Sequence, residues 1–568
     1  MSWKALLIQP PDGRACEIPY ATLPAITAAL RNNGYYVIPK DLNVGTLLKF
    51  LKTETADEIF NRVQKKLDNI CDTRFANILK QEVRNFKKIM PFLRTAYFSF
   101  IAESKKGRFK FKTHKLLNKI YLIYLHMINL LSTNINQEDY FSRVDDKKNN
   151  AYYYIFDEFI KDMDWNEIIL VGITVAGYIH ALPALTLASM IRKRYPSIHI
   201  VLGGHLFTNI DFNDKEDIQD LKKILTKYAH SIVMYEGETA IVRIMDCLTN
   251  KKDDWDKIPN LIRLKNNKLA INKPFYFEKV DNIPSYDFEG FPVQFYSGLP
   301  VEISRGCYWG RCSFCKHNKI RYDTKDFSHD VPFYRSFDPE KIVAILRNFK
   351  KKYNKKYFEF ICLVVSPIEI KKLCKAIINS GLDIRWNIFV RLEKSFKPEL
   401  FELMAKAGAY YFNFFPETFC ERTAKLHNKN YDIKHIKNLI QYWSKNRHRL
   451  PPLMVTVFSG FPGETFQDFL ETYNFLIENS LITLSYFNTA IPLFHLMKHS
   501  SIYYNPNKYG IKIERKKNKS EIFNHFKIIF KDNNIAKERK KIENFILRHN
   551  KKINRNDWDT KWKILYDC

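Results

Sequence analysis

The chain is 568 residues long, 46% hydrophobic and 15% aromatic, with a formal net charge of +30. That length exceeds one ordinary core and predicts two to four domains. The apolar content excludes a disordered chain, and no run of eighteen apolar residues marks a membrane span. The basic excess is mostly lysine spread along the chain beside abundant Asn, Ile, Tyr and Phe, as biased codon usage would produce, so nucleic acid is not expected as a partner. The opening MSWKALLIQPPDG reads at once as strand and loop, not as a targeting peptide. Most of the ten cysteines are isolated, which fits a reducing cytoplasm.

In chain order, residues 1–250 alternate strands and helices in the manner of a doubly wound α/β domain. Strands are expected at KALLIQPP (4–11), YYVIPKDLN, WNEIILVGITV (165–175), IHIVLGGHL and HSIVMYEG. Helices are expected at ATLPAITAALRNNG, ALPALTLASMIRKRYP and the run after Gly237. A lysine- and aromatic-rich insertion, about 46–164, reads as a helical subdomain, and its most apolar stretch (119–132) reads as a core helix. Residues 251–296 read as a connector.

Residues 297–510 open on a short strand, Leu299 to Ile303, followed by a turn and three cysteines, Cys307, Cys312 and Cys315. Three closely spaced thiolates can hold an iron–sulfur cluster and leave one iron without a protein ligand. The competing reading is a structural zinc knot completed by His317 or another residue, although zinc sites usually pair two C-x-x-C hooks and only one is present. Further strands are expected at 357–365, 385–392, 409–416, 453–462 and 482–492, alternating with helices such as PELFELMAKAG and DIKHIKNLIQYWSKN. This is the pattern of a parallel barrel with helices outside. Residues 511–568 read as a basic helical tail with a solvated face.

The cysteine segment resembles the signature of the radical S-adenosylmethionine (radical SAM) superfamily, C-x-x-x-C-x-x-C, with four residues in the first interval in place of three. Phe314, just before the last cysteine, matches the pattern. FFPETFCERTAKLHNKN resembles the family's Glu-Ser segment, and FSGFPGETFQDF its Gly-x-Pro-Gly-Glu-Thr turn. The ordered strand ends of the first region, with GGH and GEGE-like turns, resemble the cobalamin-binding domain that precedes many radical SAM domains. The fold implied is an N-terminal doubly wound cobalamin-binding-like domain with a helical insertion, a partial (β/α) radical SAM barrel and a helical C-terminal tail.

This resemblance implies a 4Fe–4S cluster on the three cysteines, with S-adenosylmethionine on the open iron near Phe314, Arg391, Glu417 and Thr418. It implies cobalamin beside Asn43, Thr174, Gly203, Gly204, His205, Glu236 and Gly237. Asn43 stands where cobalamin proteins with an Asp-x-His-x-x-Gly loop carry the axial histidine, so the cobalt would lack a protein histidine. Gly460, Pro462 and Gly463 would shape a loop, with Glu464 and Thr465 capping the next helix. The acidic pair expected after the second barrel strand is replaced by Cys362 and Leu363. IPLFHLMKHSSIYYNPNKYGIKI resembles the barrel-closing segment of enzymes that mature ribosomal peptides. The activity implied is C-methylation of an unactivated carbon on such a peptide, with an external flavodoxin- or ferredoxin-like electron donor. A non-methylating rearrangement, ring contraction or cross-link, and a cobalamin or iron–sulfur sensor that binds nucleic acid, are the alternatives. A methylthiotransferase would need a second cysteine trio, whereas Cys16, Cys71 and Cys247 are scattered.

Overall fold

The computed structural model describes residues 3–11, 18–50, 61, 140–249, 254–483, 491–515, 522–523 and 526–556. The helix expected at 119–132, most of the insertion around it, and Cys16 and Cys71 lie outside the described residues. The chain divides into two compact units. The first comprises Met1–Ser297, Asp326–Val331 and Lys517–His525, and the second Gly298–Lys325, Pro332–Lys516 and Phe526–Cys568.

In the first unit, β1 (Lys4–Gln9), β2 (Tyr36–Asp41), β3 (Ile168–Thr174), β4 (His199–Gly203) and β5 (Ser231–Val233) form a parallel sheet. Their order is 2-1-3-4-5, extended antiparallel by β6 (Leu261–Lys265) and β7 (Lys268–Ile271). β1, β3 and β4 are almost continuously buried, as strands covered on both faces must be. The crossovers run through α1 (Thr22–Asn32), α2 (Leu42–Phe50), α3 (Tyr140–Asp145), α4 (Tyr152–Asp162), α5 (Tyr178–Arg194), α6 (Lys215–Lys227) and α7 (Glu238–Leu248). The connector reading of 251–296 is corrected here, because LIRLKNNKLAI is a hairpin on this sheet. Its two-residue loop places Asn266 and Asn267 at φ of 50° and 59°, and such turns favour asparagine. Strand order reverses between β1 and β3, so the crevice beyond their carboxyl ends is where a sheet of this order places a ligand.

In the second unit, β8 (Leu299–Glu302), β11 (Tyr357–Ile361) and β12 (Arg385–Asn387) run parallel, as do β13 (Phe389–Val390), β14 (Phe412–Glu417), β15 (Leu453–Val457) and β16 (Ile482–Thr483). Bridges Trp386–Ala409 and Val365–Val390 join the two sets into one partial barrel. The strand expected over 385–392 is broken at Ile388 into β12 and β13, and residues 484–490 of the last expected strand lie outside the described residues. Between β8 and β11, β9 (Ser304–Arg305) pairs antiparallel with β10 (Arg335–Ser336). The outer helices are α8 (Pro339–Tyr353), α9 (Pro367–Asn379), α10 (Pro398–Lys406), α11 (Glu421–Leu426), α12 (Ile433–Asn446) and α13 (Phe466–Glu478). Proline at the first turn of α8, α9 and α10 starts each where its missing N–H costs nothing.

The tail is not helical throughout. β17 (Ile511–Arg515) and β18 (Phe526–Phe530) form an antiparallel pair before α14 (Asn533–Asn556) begins. α14 packs back on the barrel: Phe545 meets Phe466, Phe469 and Tyr473 with ring centroids 5.0–5.7 Å apart.

Candidate active site

The three cysteines lie on a loop that leaves β9 and returns at β10, so its base is closed by strand pairing. Gly306 opens the loop at φ 77°, and a side-chain carbon there would stand 1.9 Å from Phe333 O, so only glycine fits. Within the loop the Gly310 N–H donates to Cys307 Sγ (3.3 Å), and Cys315 N–H to Cys312 O (3.0 Å). Ser313 anchors it: its N–H donates to His427 O (2.9 Å) and its hydroxyl to Leu426 O (2.8 Å). Burial raises the Cys312 thiol, against the pull of Lys429 and Arg391, and pushes Cys315 up to about 12. As free thiols both therefore hold their protons, and metal binding releases them.

All three thiols are free, and among the described residues no three His, Cys, Asp or Glu side chains already stand at single-ion distances. Burial holds the His317 ring at about 4, hence neutral, tilted against Phe333. The donor set of three soft thiolates on one loop, with a backbone N–H aimed at a sulfur, fits an iron–sulfur cluster.

At the carboxyl end of β14 a register shift between Phe414 and Glu417 re-aims the chain. Glu417 sits at φ 66°, costly for a residue with a Cβ, and is 8% exposed. Its carboxylate pairs with Lys429 Nζ at 3.1 Å, and Lys429 also donates to Phe415 O (2.6 Å). Burial opposes the Lys429 charge, but Glu417, Tyr431 and Cys312 outweigh it and hold the ammonium above its ordinary range. Thr418 faces inward, sharing a 2.8 Å hydroxyl contact with Thr472 of α13. Phe314 packs edge-on to His427 (5.4 Å) and Phe458 (5.0 Å). Arg391, 6% exposed, is stacked between Trp309 and Tyr431 and donates to Lys429 O. The structure thus brings Cys312, Phe314, Arg391 and Glu417 into one neighbourhood around Lys429, while turning Thr418 into the fold.

The Gly460–Glu464 turn follows β15. Thr465 caps α13 in a reciprocal box with Asp468. Glu464 does not cap, which corrects that reading: its carboxylate accepts the Gly460 and Phe461 N–H groups and closes the turn. Burial pushes it up to about 8 despite those two bonds. Beside it the Ser459 hydroxyl is buried with no partner. Just after β11, Cys362 Sγ donates to Phe389 O at 3.7 Å and Leu363 is 45% exposed.

In the first unit, the residues expected near cobalamin stand on one edge, at the carboxyl ends of β2 to β5. Asn43 starts α2, its N–H on Asp41 Oδ1 (2.9 Å). Gly204, at φ 120°, brings β4 so close to Val175 O that a Cβ would sit at 2.7 Å. His205 is exposed. Glu236 is occupied locally: it accepts the Glu278 N–H (2.6 Å), and its carbonyl accepts Asn260 Nδ2 (2.7 Å). Gly237 leads into α7. At the β1–β3 reversal, Thr174 Oγ1 and Gln9 Oε1 are buried without hydrogen-bond partners. Two orphaned polar atoms at the strand ends where this topology places ligands fit a large, amide-rimmed cofactor such as a corrin.

Sequence reasoning missed Gln9, Lys429, Ser459 and Trp309 as site residues. Lys429 stood in a segment already singled out, but its partner lies twelve residues away across a turn.

Residues 301–476 match the family model of the radical SAM superfamily. Among solved structures the fold is similar to TsrM from Kitasatospora setae, a radical S-adenosylmethionine methyltransferase. The form with tryptophan substrate and a SAM analogue is 13% identical with a TM-score of 0.56, covering 97% of this chain and 89% of that one. The form with cobalamin and a [4Fe-4S] cluster is 12% identical with a TM-score of 0.51, covering 90% and 77%. OxsB, a cobalamin-dependent S-adenosylmethionine radical enzyme, is 13% identical with a TM-score of 0.50, covering 89% of this chain and 56% of that one. No curated protein matches the chain. The cysteine-bearing segment matches the radical SAM superfamily, and the fold of the chain is similar to those of TsrM and OxsB.

Proposed function

We propose that the chain is a cobalamin-dependent radical SAM methyltransferase acting on an unactivated carbon of a ribosomally made peptide. The observation that carries the reading is a loop of three free thiols at a barrel's carboxyl end, in a chain whose other unit has orphaned polar atoms at its topological switch point. When bound, the cluster with SAM supplies one-electron cleavage chemistry and cobalamin a transferable methyl group.

The chain's own residues do the placing. Cys307, Cys312 and Cys315 would hold the cluster. Lys429 holds one Glu417 oxygen in an ion pair, so that the remaining oxygen can accept from a ribose hydroxyl or an ammonium. The aromatic wall of Phe314 and Phe458 offers an apolar face beside the buried Ser459 hydroxyl, a pairing suited to an adenine ring. Gln9 and Thr174 would meet the corrin's amide rim.

An oxygen-sensitive cluster places such a protein in a reducing cytoplasm, with a flavodoxin- or ferredoxin-like donor supplying electrons. No described helix is long and apolar enough to cross a membrane. The peptide substrate is favoured by the IPLFHLMKHSSIYYNPNKYGIKI segment. A non-methylating rearrangement, ring contraction or cross-link is the second reading, because the same cluster and corrin would serve it. Anaerobic reconstitution tests the proposal: about four irons per chain, a corrin absorption spectrum, and S-adenosylhomocysteine with methylated product from a precursor peptide. Bound zinc in place of iron sinks it, and cleavage of SAM without methylation selects the second reading.

A further inference from the structure

The interval between Cys307 and Cys312 is one residue longer than the radical SAM pattern, and the structure shows what occupies it. Trp309 lies within it. Its indole N–H donates to Asn428 O (2.9 Å), and Asn428 Nδ2 returns a bond to Arg311 O (2.8 Å). The indole faces two guanidinium groups, Arg391 at 4.9 Å and Arg311 at 5.6 Å from the ring centroid.

Arg391 in turn lies 4.5 Å from the Tyr431 ring centroid and donates from Nη2 to Lys429 O. Its Nε stands 3.4 Å from the Glu393 carboxylate without a hydrogen bond. Three segments therefore meet in one stack: the cysteine loop through Trp309, the end of β13 through Arg391, and residues 428–431 through Asn428, Lys429 and Tyr431. The last of these also carries the ammonium that pairs with Glu417. Guanidinium groups stack on aromatic faces with a fixed planar geometry that an ammonium cannot reproduce.

We propose that Trp309 and Arg391 form a positioning pair that seats the thiol loop against the 428–431 segment, and that accommodating this indole is what the longer cysteine interval is for. Arg391, which the resemblance set near S-adenosylmethionine, is assigned here to positioning by its contacts with Trp309, Tyr431 and Lys429 O. The pair acts through Asn428 and Lys429, so displacing the indole also displaces the partner of Glu417. This role goes beyond the radical SAM reading but rests on it.

The test uses the full-length, cluster-loaded protein held anaerobically, with Trp309→Ala, Trp309→Phe and Arg391→Lys variants. Amide hydrogen exchange is followed in residues 309–313 and 427–431, and the electron paramagnetic resonance of the reduced cluster is recorded with and without SAM. Trp309→Ala and Arg391→Lys are expected to speed exchange about tenfold in both segments together, and to displace the SAM-induced spectral change. Trp309→Phe, which keeps a ring between the guanidinium groups, is expected to restore part of both. If Trp309→Ala takes up no iron, the other two variants carry the comparison. Exchange at 427–431 that stays at the wild-type rate in Trp309→Ala or Arg391→Lys overturns the proposal. A wild-type protein that binds no iron overturns the radical SAM reading instead, and the linked exchange of the two segments can still be read without it.

Discussion

Glu417 and Lys429 are both nearly excluded from water, so each charge depends on the other. Replacing Lys429 with Met leaves a buried carboxylate alone, which typically costs about 3–5 kcal/mol. Urea unfolding of the variant should show a loss of that size in the second unit. Cys312→Ala should abolish iron uptake and SAM cleavage while leaving corrin binding by the first unit intact, read from iron content and the visible spectrum. Residue-scale legibility was uneven. The cysteines and Glu417 could be found by spacing and by local resemblance. The left-handed backbone of Glu417 could not, because nothing in a glutamate side chain signals a positive φ. Gln9 was equally hidden, since a polar residue closing an apolar strand reads as a simple strand end, and only strand order reveals a crevice there.

Among the elements, the buried parallel strands were legible as unbroken apolar runs. The β6–β7 hairpin was missed although Asn-Asn between two apolar stretches is a turn signal. β17 and β18 were masked by their lysines: the tail's charge suggested a solvated helix, yet IKIER and FKIIF pair with each other. The cysteine loop depends on its hinge, so Gly306→Ala should displace the loop base from Phe333 and abolish iron uptake, with the first unit's corrin binding unchanged. α14 is fastened to the turn after β15. Arg539 Nη1 donates to Gly460 O (2.6 Å) and Nη2 to Phe494 O (3.3 Å). Arg539→Ala should cost about 1–3 kcal/mol by leaving those carbonyls unsatisfied, measured as a lowered urea midpoint.

For the whole molecule, acidity acts on the two units in different ways. In the first, burial lowers His199 to about 3 and His230 to about 4. Their unfolded forms take up protons below about 6.5 while the folded forms do not, so stability is present above that value and lost as pH falls toward 4. In the second, burial raises Glu464 to about 8. Its folded form keeps a proton that the unfolded form has released, so stability falls as pH rises from about 4.5 through 8, by at most about 1.4 kcal/mol per unit. Calorimetry across this range should show the alkaline loss, and Glu464→Gln should flatten it. A slope unaltered by that substitution would assign the loss elsewhere.

Phe327, Ile522 and Phe523 belong to the first unit although all three follow Ser297, the last two by more than two hundred residues. Phe327 lies in an aromatic nest with Tyr235, Phe275 and Phe277. Phe523 meets Phe207, and its N–H donates to Asp220 Oδ2 (3.3 Å). During translation the leading half must therefore wait, incomplete, while more than two hundred further residues leave the ribosome, a delay on the order of tens of seconds. Cutting the gene after Ser297 would yield a fragment with unfilled gaps in its core, prone to aggregate, and anyone expressing the leading half alone should supply the missing strips in trans.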